Sequence, residues 1–336
     1  QLGYFGINIP EEYGGVGADA VSHAVVMEEI ARGCAATALI YDAHTMLCAE
    51  SILRFGTDQQ KHKYLPGLAS GEMLGAFALT EPGAGSDAAS ISTRAVFERD
   101  HYMLDGQKCF ITNGSVAGVI LVLAVTDPSK GAKGISAFLV EKGFPGFKVG
   151  RIEEKMGQKA SATAELFFDK CSVPSENILG AEGDGFRIAM AALDFGRIGI
   201  AAQATGIAQA CLEAATRFSK QRVQFGKPIS SLQAIEWMLA DMATDIDAAR
   251  LMYRRAAWLH ANGRKCSKEA AMAKVFASQM AVKHALNAIQ VHGGYGYMKE
   301  YQVERYLRDV KATEIYEGTS EIMRLVIAGQ VLKEIA

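Results

Sequence analysis

The first 73 residues show the apolar spacing of amphipathic helices. Apolar positions recur every three or four residues in AVSHAVVMEEIARG (20–33) and AHTMLCAESILRFG (43–56), and each run ends in a glycine, a common helix stop. In TDQQKHKYLPGLASG (57–71), Thr57 stands at the start as a suitable N-cap. The pattern predicts an N-terminal helical domain over residues 1–73.

Between residues 74 and 184 the pattern changes to short runs of β-branched and aromatic residues, bounded by Gly, Pro or Asp. AGVILVLAVTD (117–127), GISAFLVEKG (134–143) and TAELFFDKCSVP (163–174) are typical of strands. STRAVFERDHYMLDGQKCFIT (92–112) predicts a hairpin. We therefore expect a middle antiparallel β domain over this part of the chain.

Long Ala-rich helical periods return after residue 185. They cover residues 186–222, 231–263 and 267–290, lengths that suit antiparallel helices in a bundle. The sequence thus predicts an α+β fold with an N-terminal helical domain (1–73), a middle antiparallel β domain (74–184) and a C-terminal helical bundle (185–336).

Composition excludes several classes of protein. The net charge of −2, with no dense Lys/Arg run, argues against a nucleic-acid surface. No apolar run reaches the roughly 18–20 residues that span a bilayer, so we expect no membrane insertion. The six cysteines form no C-x-x-C pair, and the histidines have no H-x-x-x-H spacing, so we expect no disulfide framework and no metal site.

The N-terminal QLGYFGINIPEEYGG lacks the charged and apolar regions of a signal peptide. It reads as the interior of a domain, which predicts a missing upstream segment. Scattered cysteines favour a reducing compartment. We expect a bacterial cytoplasm, or a mitochondrial matrix if the source is eukaryotic.

Four stretches are candidates for chemistry, and each has an ordinary structural alternative. ALTEPGAGSDAAS (78–90) lets backbone approach a phosphate or a flavin, or is simply a turn; it is neither a P-loop nor a G-x-G-x-x-G turn. RVQFGKP (222–228) places an arginine at a helix end, where it either binds a phosphate group or is a solvated surface charge. QVHGGYGYMKEYQVERYLRD (290–309) combines glycines, tyrosines and charged residues, and it is either a functional motif or a helix C-cap with an ion-pair network. TEIYEGTSEI (313–322) puts Glu317 before a glycine, as a functional carboxylate or a surface acid.

Taken together and in this order, these stretches resemble the acyl-CoA dehydrogenases, flavoproteins with an α–β–α subunit. ALTEPGAGSD and QVHGGYGYMKEYQVERYLRD match two family signatures, and EIYEGTSEI matches the catalytic turn. The resemblance runs from IPEEYGG to the C-terminus and is closest to the short-chain or butyryl-CoA dehydrogenases. It implies FAD as cofactor, acyl-CoA as substrate, an electron-transfer flavoprotein as partner and a homotetramer built as a dimer of dimers.

The resemblance also implies residue roles. The residues expected to line the flavin in the middle domain are Phe77, Leu79, Thr80, Gly85, Ser86, Phe110, Ile111 and Thr112. The residues expected to reach the FAD of a neighbouring subunit, or its adenosine-phosphate part, are Arg222, Gln224, Phe225, Gln290, Gly293, Gly294, Thr319 and Glu321. The residues expected to contact acyl-CoA are Ser86, Asp194, Arg197 and Gly318.

Glu317 is the implied base, which takes the α-proton of the thioester while the β-hydrogen leaves as hydride to flavin N5. Its backbone N–H is expected to bond the thioester oxygen, and burial with ligand is expected to raise the carboxyl pKa. Some branched-chain members carry the base at the position of Gly196, which has no side chain here. The length and branching of the acyl chain stay open, and a branched, cyclic or other acyl-CoA is the alternative substrate. A flavin oxidase of the same fold and a non-catalytic acyl-CoA- or flavin-binding protein are the alternative functions.

Overall fold

The structure, a computed structural model, describes residues 3–334, whose elements run in the order helical, β, helical. The predicted α+β class is therefore confirmed. Unit 1, the first of two compact units, consists of residues 1–19, 39–154 and 160–196. The second, unit 2, consists of residues 20–38, 155–159 and 197–336. The predicted domain boundaries near 73 and 184 stay a prediction.

The N-terminal stretch is helical, as predicted. Its helices are α1 (Ala20–Gly33), α2 (Ala35–Asp42), α3 (Glu50–Phe55) and α4 (Asp58–Ser70). Thr57 caps α4 with a full capping box: its Oγ1 accepts from the Gln60 N–H at 3.2 Å, while its own N–H donates to Gln60 Oε1 at 3.0 Å. The helix predicted over 43–56 is a π-helical segment, Ala43–Ala49, which follows α2 directly and continues into α3.

The middle stretch forms one sheet. Its strands are β1 (Gly75–Ala78), β2 (Arg94–Glu98), β3 (His101–Thr112), β4 (Val119–Val125), β5 (Ile135–Glu141), β6 (Phe147–Ile152), β7 (Thr163–Pro174) and β8 (Ile178–Leu179). Their order is β6-β7-β3-β2-β4-β5-β8, with β1 added on β4. The predicted β2–β3 hairpin is confirmed. The sheet is mixed rather than purely antiparallel, because β1 and one residue of β2 pair with β4 in parallel.

Strand β4 is buried on both faces, which explains its uninterrupted apolar run. Leu121 and Leu123 pack into one hydrophobic cluster with residues of α3 and α4, whereas Ile120 and Val122 pack into a second cluster on the opposite face. Side chains alternate across a strand, so a strand covered on both sides needs apolar residues at every position. The two clusters hold the ends of β1 and β3 in place.

Unit 2 is dominated by long helices. Its long helices are α5 (Gly185–Gln221), α6 (Gln233–Ala261) and α7 (Ser267–His292), followed by α8 (Val303–Val310) and α9 (Ser320–Glu334). The first twelve residues of α5 belong to unit 1. A small hairpin of β9 (Val223–Gln224) and β10 (Lys227–Pro228) lies between α5 and α6 in the chain. Helix α7 packs against α6, α8 and α9. None of the helices within residues 3–334 is long and apolar enough to cross a bilayer.

Candidate active site

The Glu317–Gly318 segment is a left-handed turn that directly precedes α9. Glu317 has φ +54° and Gly318 has φ +102°. A non-glycine residue in this region costs free energy and is held there by its surroundings, a feature that recurs at active sites. One carboxylate oxygen of Glu317 is buried. The predicted base thus lies on a strained, half-buried turn.

Two buried cations hold the carbonyls of this turn. The Arg197 side chain donates from Nε to the Glu317 carbonyl at 3.2 Å, and the Lys274 ammonium donates to the Gly318 carbonyl at 2.6 Å. Lys274 is completely buried and Arg197 is 6% exposed. Arg197 was assigned to the site from the sequence. Lys274 was missed, although it is a single charge in the apolar run AAMAKVFA (270–277), which is a usable signal.

Tyr316, the residue before the predicted base, is held by a hydrogen-bond network. The Tyr316 hydroxyl donates to Gln203 Oε1 at 2.6 Å and accepts from Gln158 Nε2 at 3.1 Å. Gln203 also donates to the Ala35 carbonyl at 2.8 Å, and Gln158 donates to the Asp309 carbonyl at 2.8 Å. The network therefore holds the chain that enters the turn, and neither glutamine was predicted from the sequence.

The residues predicted to contact acyl-CoA are distributed over several elements. Asp194, half-buried, and Arg197 lie three residues apart on α5, with Gly196 between them. In unit 2 the structure brings Arg197 to the turn, since an added Cβ on Gly318 would lie 3.7 Å from an Arg197 guanidinium nitrogen. Ser86 is exposed in the loop after β1.

The two stretches of unit 1 that are predicted to line the flavin come together at the ends of β1 and β3. Phe77 lies in β1, followed by Leu79 and Thr80, and the N–H of Cys109 donates to the Thr80 carbonyl at 3.0 Å. At Gly85, as at its neighbour Gly83, an added Cβ would meet nothing within 4 Å, so the backbone there is open to a ligand.

Phe110 presents an exposed ring on an irregular strand. The register of β3 against β7 shifts between Lys108 and Ile111, and Phe110 has φ +59° with 65% of its surface exposed. A bulge re-aims a side chain, and here it leaves an aromatic face uncovered while Ile111 is buried. Such a ring is suited to stacking on a flat aromatic ligand. Thr112, half-buried, follows at the end of β3.

A buried ion pair braces the same two stretches. The Lys108 ammonium donates to Glu81 Oε1 at 2.7 Å and to the Leu79 carbonyl at 3.0 Å. The carboxylate also accepts from the backbone N–H groups of Ser92 at 2.6 Å and Thr93 at 3.0 Å. Lys108 and these donors hold the pKa of Glu81 at about 2, despite a desolvation that acts the other way. Both buried charges are thus paired with each other and hydrogen-bonded to further groups, which offsets their desolvation.

Unit 2 contains a cleft of about 570 Å³ at the end of α7. Four predicted cofactor residues line it, namely Arg222, Gln224, Gly293 and Gly294. Among the other lining residues, the rings of Phe218 and His292 stack at 4.3 Å, and the Arg222 guanidinium lies 5.3 Å from the centre of the Tyr295 ring. Burial lowers the pKa of His292, which favours its neutral form.

The remaining predicted cofactor residues lie outside this cleft lining. Gln290 is exposed on the last turn of α7, Phe225 is 91% exposed in the loop between β9 and β10, and Thr319 and Glu321 lie at the start of α9. Thr319 Oγ1 accepts from the Ile322 N–H at 3.3 Å and so caps that helix.

The residues present fit a dinucleotide such as FAD. An added Cβ on Gly293 or Gly294 would meet nothing within 4 Å, so the cleft has room for a ligand beside the backbone. A guanidinium binds phosphate, and aromatic rings accept a flat base. The exposed Phe110 ring offers a separate apolar face for a flat ring system.

Comparison with known families agrees with this fit. Models of the N-terminal, middle and C-terminal domains of acyl-CoA dehydrogenases match residues 1–72, 76–171 and 183–332. The chain therefore belongs to the acyl-CoA dehydrogenase family, and it is an oxidoreductase of the FAD-dependent kind. The recognition made from the sequence motifs is confirmed.

Two curated relatives cover nearly the whole chain. An acyl-CoA dehydrogenase of Bacillus subtilis is 56% identical over 98% of this chain and 87% of its own. A short-chain-specific acyl-CoA dehydrogenase of Clostridium acetobutylicum is 50% identical over 99% of this chain and 88% of its own.

Two solved structures have the same fold. Butyryl-CoA dehydrogenase from Megasphaera elsdenii superposes with a TM-score of 0.97 at 49% identity, covering 98% of this chain and 88% of the other. A chain solved in work on the electron-transferring flavoprotein of Acidaminococcus fermentans, and on flavin-based electron bifurcation, has a TM-score of 0.97 at 52% identity, covering 98% and 87%.

Proposed function

We propose that this enzyme converts a short-chain acyl-CoA to its trans-2-enoyl-CoA, with Glu317 as the catalytic base. The observation that carries the proposal is the strained turn at Glu317, whose carbonyls are held by Arg197 and Lys274. A carboxylate with a buried oxygen on a turn that costs free energy is typical of a catalytic group and unusual for a surface acid.

The proposed reaction removes two hydrogens from adjacent carbons. Glu317 accepts the α-proton, and the electron pair of that C–H bond forms the Cα–Cβ double bond. FAD, when bound, supplies the acceptor for the β-hydrogen and its two electrons. Because the α-hydrogen of a thioester is a weak acid, the chain must stabilise the negative charge that develops on the thioester oxygen, and the Glu317 N–H is the proposed donor.

The proposed cofactor ligands form two sets. In unit 1, Phe110 would stack on the flavin ring, and the loop with Gly85 and Ser86 would lie beside it. In unit 2, Arg222 and the backbone at Gly293 would hold phosphate groups, and the rings that line the cleft would accept the base. Open space above the glycines and the exposed face of Phe110 support these assignments.

We infer a short acyl chain, an electron-transfer flavoprotein as electron acceptor, and a homotetramer in a bacterial cytoplasm. The short chain is supported by the short-chain-specific relative and by the butyryl-CoA dehydrogenase structure. The acceptor is supported by the similar chain solved in work on an electron-transferring flavoprotein. The bacterial origin of both curated relatives described above supports the compartment.

The test is an anaerobic titration of the holoenzyme with butyryl-CoA, followed by flavin absorbance. We expect bleaching in the wild type, a band shift without bleaching in Glu317→Gln, and bleaching in the control Glu314→Gln, which removes a nearby acid paired with Lys311. Wild-type bleaching in Glu317→Gln would overturn the assignment of the base. A band shift without bleaching in the wild type would overturn the short-chain substrate, and rapid reoxidation in air would show an oxidase.

A further inference from the structure

Lys274 is an ammonium group placed where a folded protein rarely keeps one. It lies within α7, among Ala270, Ala271, Ala273 and Ala277, and is completely buried. Taking a lysine charge out of water costs several kcal/mol unless the charge is paired and hydrogen-bonded. A methionine of similar length would fill the same space without that cost, so packing alone does not account for a lysine.

The ammonium is directed at the catalytic turn. It donates to the Gly318 carbonyl at 2.6 Å, while Arg197, which reaches the turn from α5, donates to the preceding carbonyl of Glu317. The two cations therefore fix the peptide planes on both sides of Gly318, whose φ of +102° is accessible mainly to glycine. The two hydrogen bonds therefore offset part of the free-energy cost of this backbone conformation.

The charges around Lys274 are mainly acidic. The carboxylates of Glu317, Glu314 and Glu321 favour its charged form, and the Arg197 guanidinium opposes it. Burial is the largest influence and lowers the pKa of Lys274 to about 8. The side chain is therefore still protonated at neutral pH, and its charge acts on the Glu317 carboxylate in a medium that screens poorly.

We propose that Lys274 is a positioning residue for the Glu317 base, holding the turn through the Gly318 carbonyl and keeping the carboxylate ionised by its positive charge. The inference rests on the proposed function, in which Glu317 takes the α-proton. It assigns two tasks to one side chain, and each task has its own observable. A lysine that only filled space would affect neither selectively.

The charge is tested by the pH dependence of flavin reduction by butyryl-CoA in single turnover. With a neutral side chain at 274, Glu317 holds its proton to higher pH, so the acid limb of the rate profile moves upward. We expect a displacement of about one pH unit in Lys274→Met, equivalent to a rate about tenfold lower on that limb. Lys274→Gln is expected to show the same displacement, and Lys274→Arg to stay close to the wild type.

The positioning is tested by hydrogen exchange in the ligand-free holoenzyme, which needs no turnover. We expect the amides of residues 317–319 to exchange about tenfold faster in Lys274→Met, as for the loss of one hydrogen bond worth about 1.4 kcal/mol. Lys274→Arg keeps a donor and is expected to restore protection. The matched control is Lys283→Met, which removes an exposed lysine of the same helix, α7, that pairs with Asp245 of α6.

The outcomes separate this inference from the proposed function. An unmoved acid limb in both Lys274→Met and Lys274→Gln would show that the charge has no role, and unchanged exchange in Lys274→Met would show that the bond does not hold the turn. Either result overturns the inference while Glu317→Gln still fails to reduce flavin. If Lys274→Met does not fold, Lys274→Gln and Lys274→Arg decide the matter. Flavin reduction by Glu317→Gln would overturn the proposed function, whatever Lys274 does.

Discussion

Backbone strain at single residues includes part of the predicted site. Among residues 3–334, seven non-glycine residues have positive φ, and three of them, Phe110, Phe225 and Glu317, are predicted site residues. Gln158, at φ +50°, belongs to the network that holds Tyr316. A non-glycine residue with a left-handed backbone lowers the stability of the protein by roughly 1–2 kcal/mol. At the predicted site residues this loss is accepted because the backbone conformation places the side chain.

A prediction at this scale concerns the glycine after the proposed base. Gly318→Ala places a Cβ in the left-handed region and 2.5 Å from Met323 Cε. We expect the variant to lose about 1–3 kcal/mol of unfolding free energy and to reduce flavin more slowly, because the turn must shift. Denaturant unfolding of the holoenzyme measures the first effect, and stopped-flow absorbance measures the second.

The control for that variant lies in the same helix region. Gly329 is inside α9, and an added Cβ there meets nothing within 4 Å. Gly329→Ala is therefore expected to stabilise the protein by about 0.5–1 kcal/mol, because alanine loses less backbone entropy in a helix. Equal destabilisation by both substitutions would contradict the argument from the turn.

At the scale of elements, buried polar side chains connect segments that the backbone ladder does not join. The Lys108–Glu81 pair braces the loop after β1 against β3 and ties it to the start of β2 through the Ser92 and Thr93 amides. Hydrogen bonding of each charge offsets its desolvation, whereas removal of one partner leaves the other uncompensated. The ion pair therefore helps to hold the loop with the proposed flavin ligands.

We expect this pair to contribute to acid sensitivity. The pKa of Glu81 is about 2 in the folded protein, below its ordinary value of 4.5. A depressed pKa contributes stability that is complete above the ordinary value and is lost as the pH falls towards the folded value. The melting temperature should therefore fall between about pH 4.5 and pH 2, and less steeply in the double variant Glu81→Gln/Lys108→Met.

Thermal unfolding followed by circular dichroism measures both slopes. The single variant Lys108→Met, which leaves a buried carboxylate unpaired, is expected to lose about 3–5 kcal/mol at neutral pH. Identical acid slopes in the wild type and the double variant would show that Glu81 makes no contribution over this range.

At the scale of the whole molecule, unit 2 carries large apolar side chains on its surface. They include Phe225, Trp237, Leu325 and Leu332. Exposed apolar groups of this size are typical of surfaces that another chain covers. The homotetramer implied by the family resemblance supplies such a partner, since Phe225 is expected to reach the FAD of a neighbouring subunit.

Phe225→Ala tests this assignment. We expect the wild type to elute as a tetramer with about one FAD per chain, and the variant to keep less flavin, because a ring that is 91% exposed within its own subunit is available to the FAD of a neighbour. Size-exclusion chromatography with light scattering gives the assembly, and the ratio of flavin to protein absorbance gives the cofactor content. A stable monomer with full flavin would contradict both expectations.

The sequence alone was enough to predict the α–β–α order, the β2–β3 hairpin, the Thr57 cap and the family. These features depend on local periods, on turn residues and on motifs whose letters are contiguous. Glu317 could be selected for the same reason, because a glutamate followed by glycine in EIYEGTSEI is visible without any tertiary contact.

Only the tertiary structure decided which polar side chains act on that glutamate. Lys274 is 44 positions from Gly318, and Gln158 is 158 positions from Tyr316, so no local pattern relates them. The parallel pairing of β1 with β4 was likewise hidden, because alternation within a strand carries no information about the direction of its neighbour. Periodicity records which face of an element is buried, whereas the identity of the group that meets each side chain is determined by packing between distant segments.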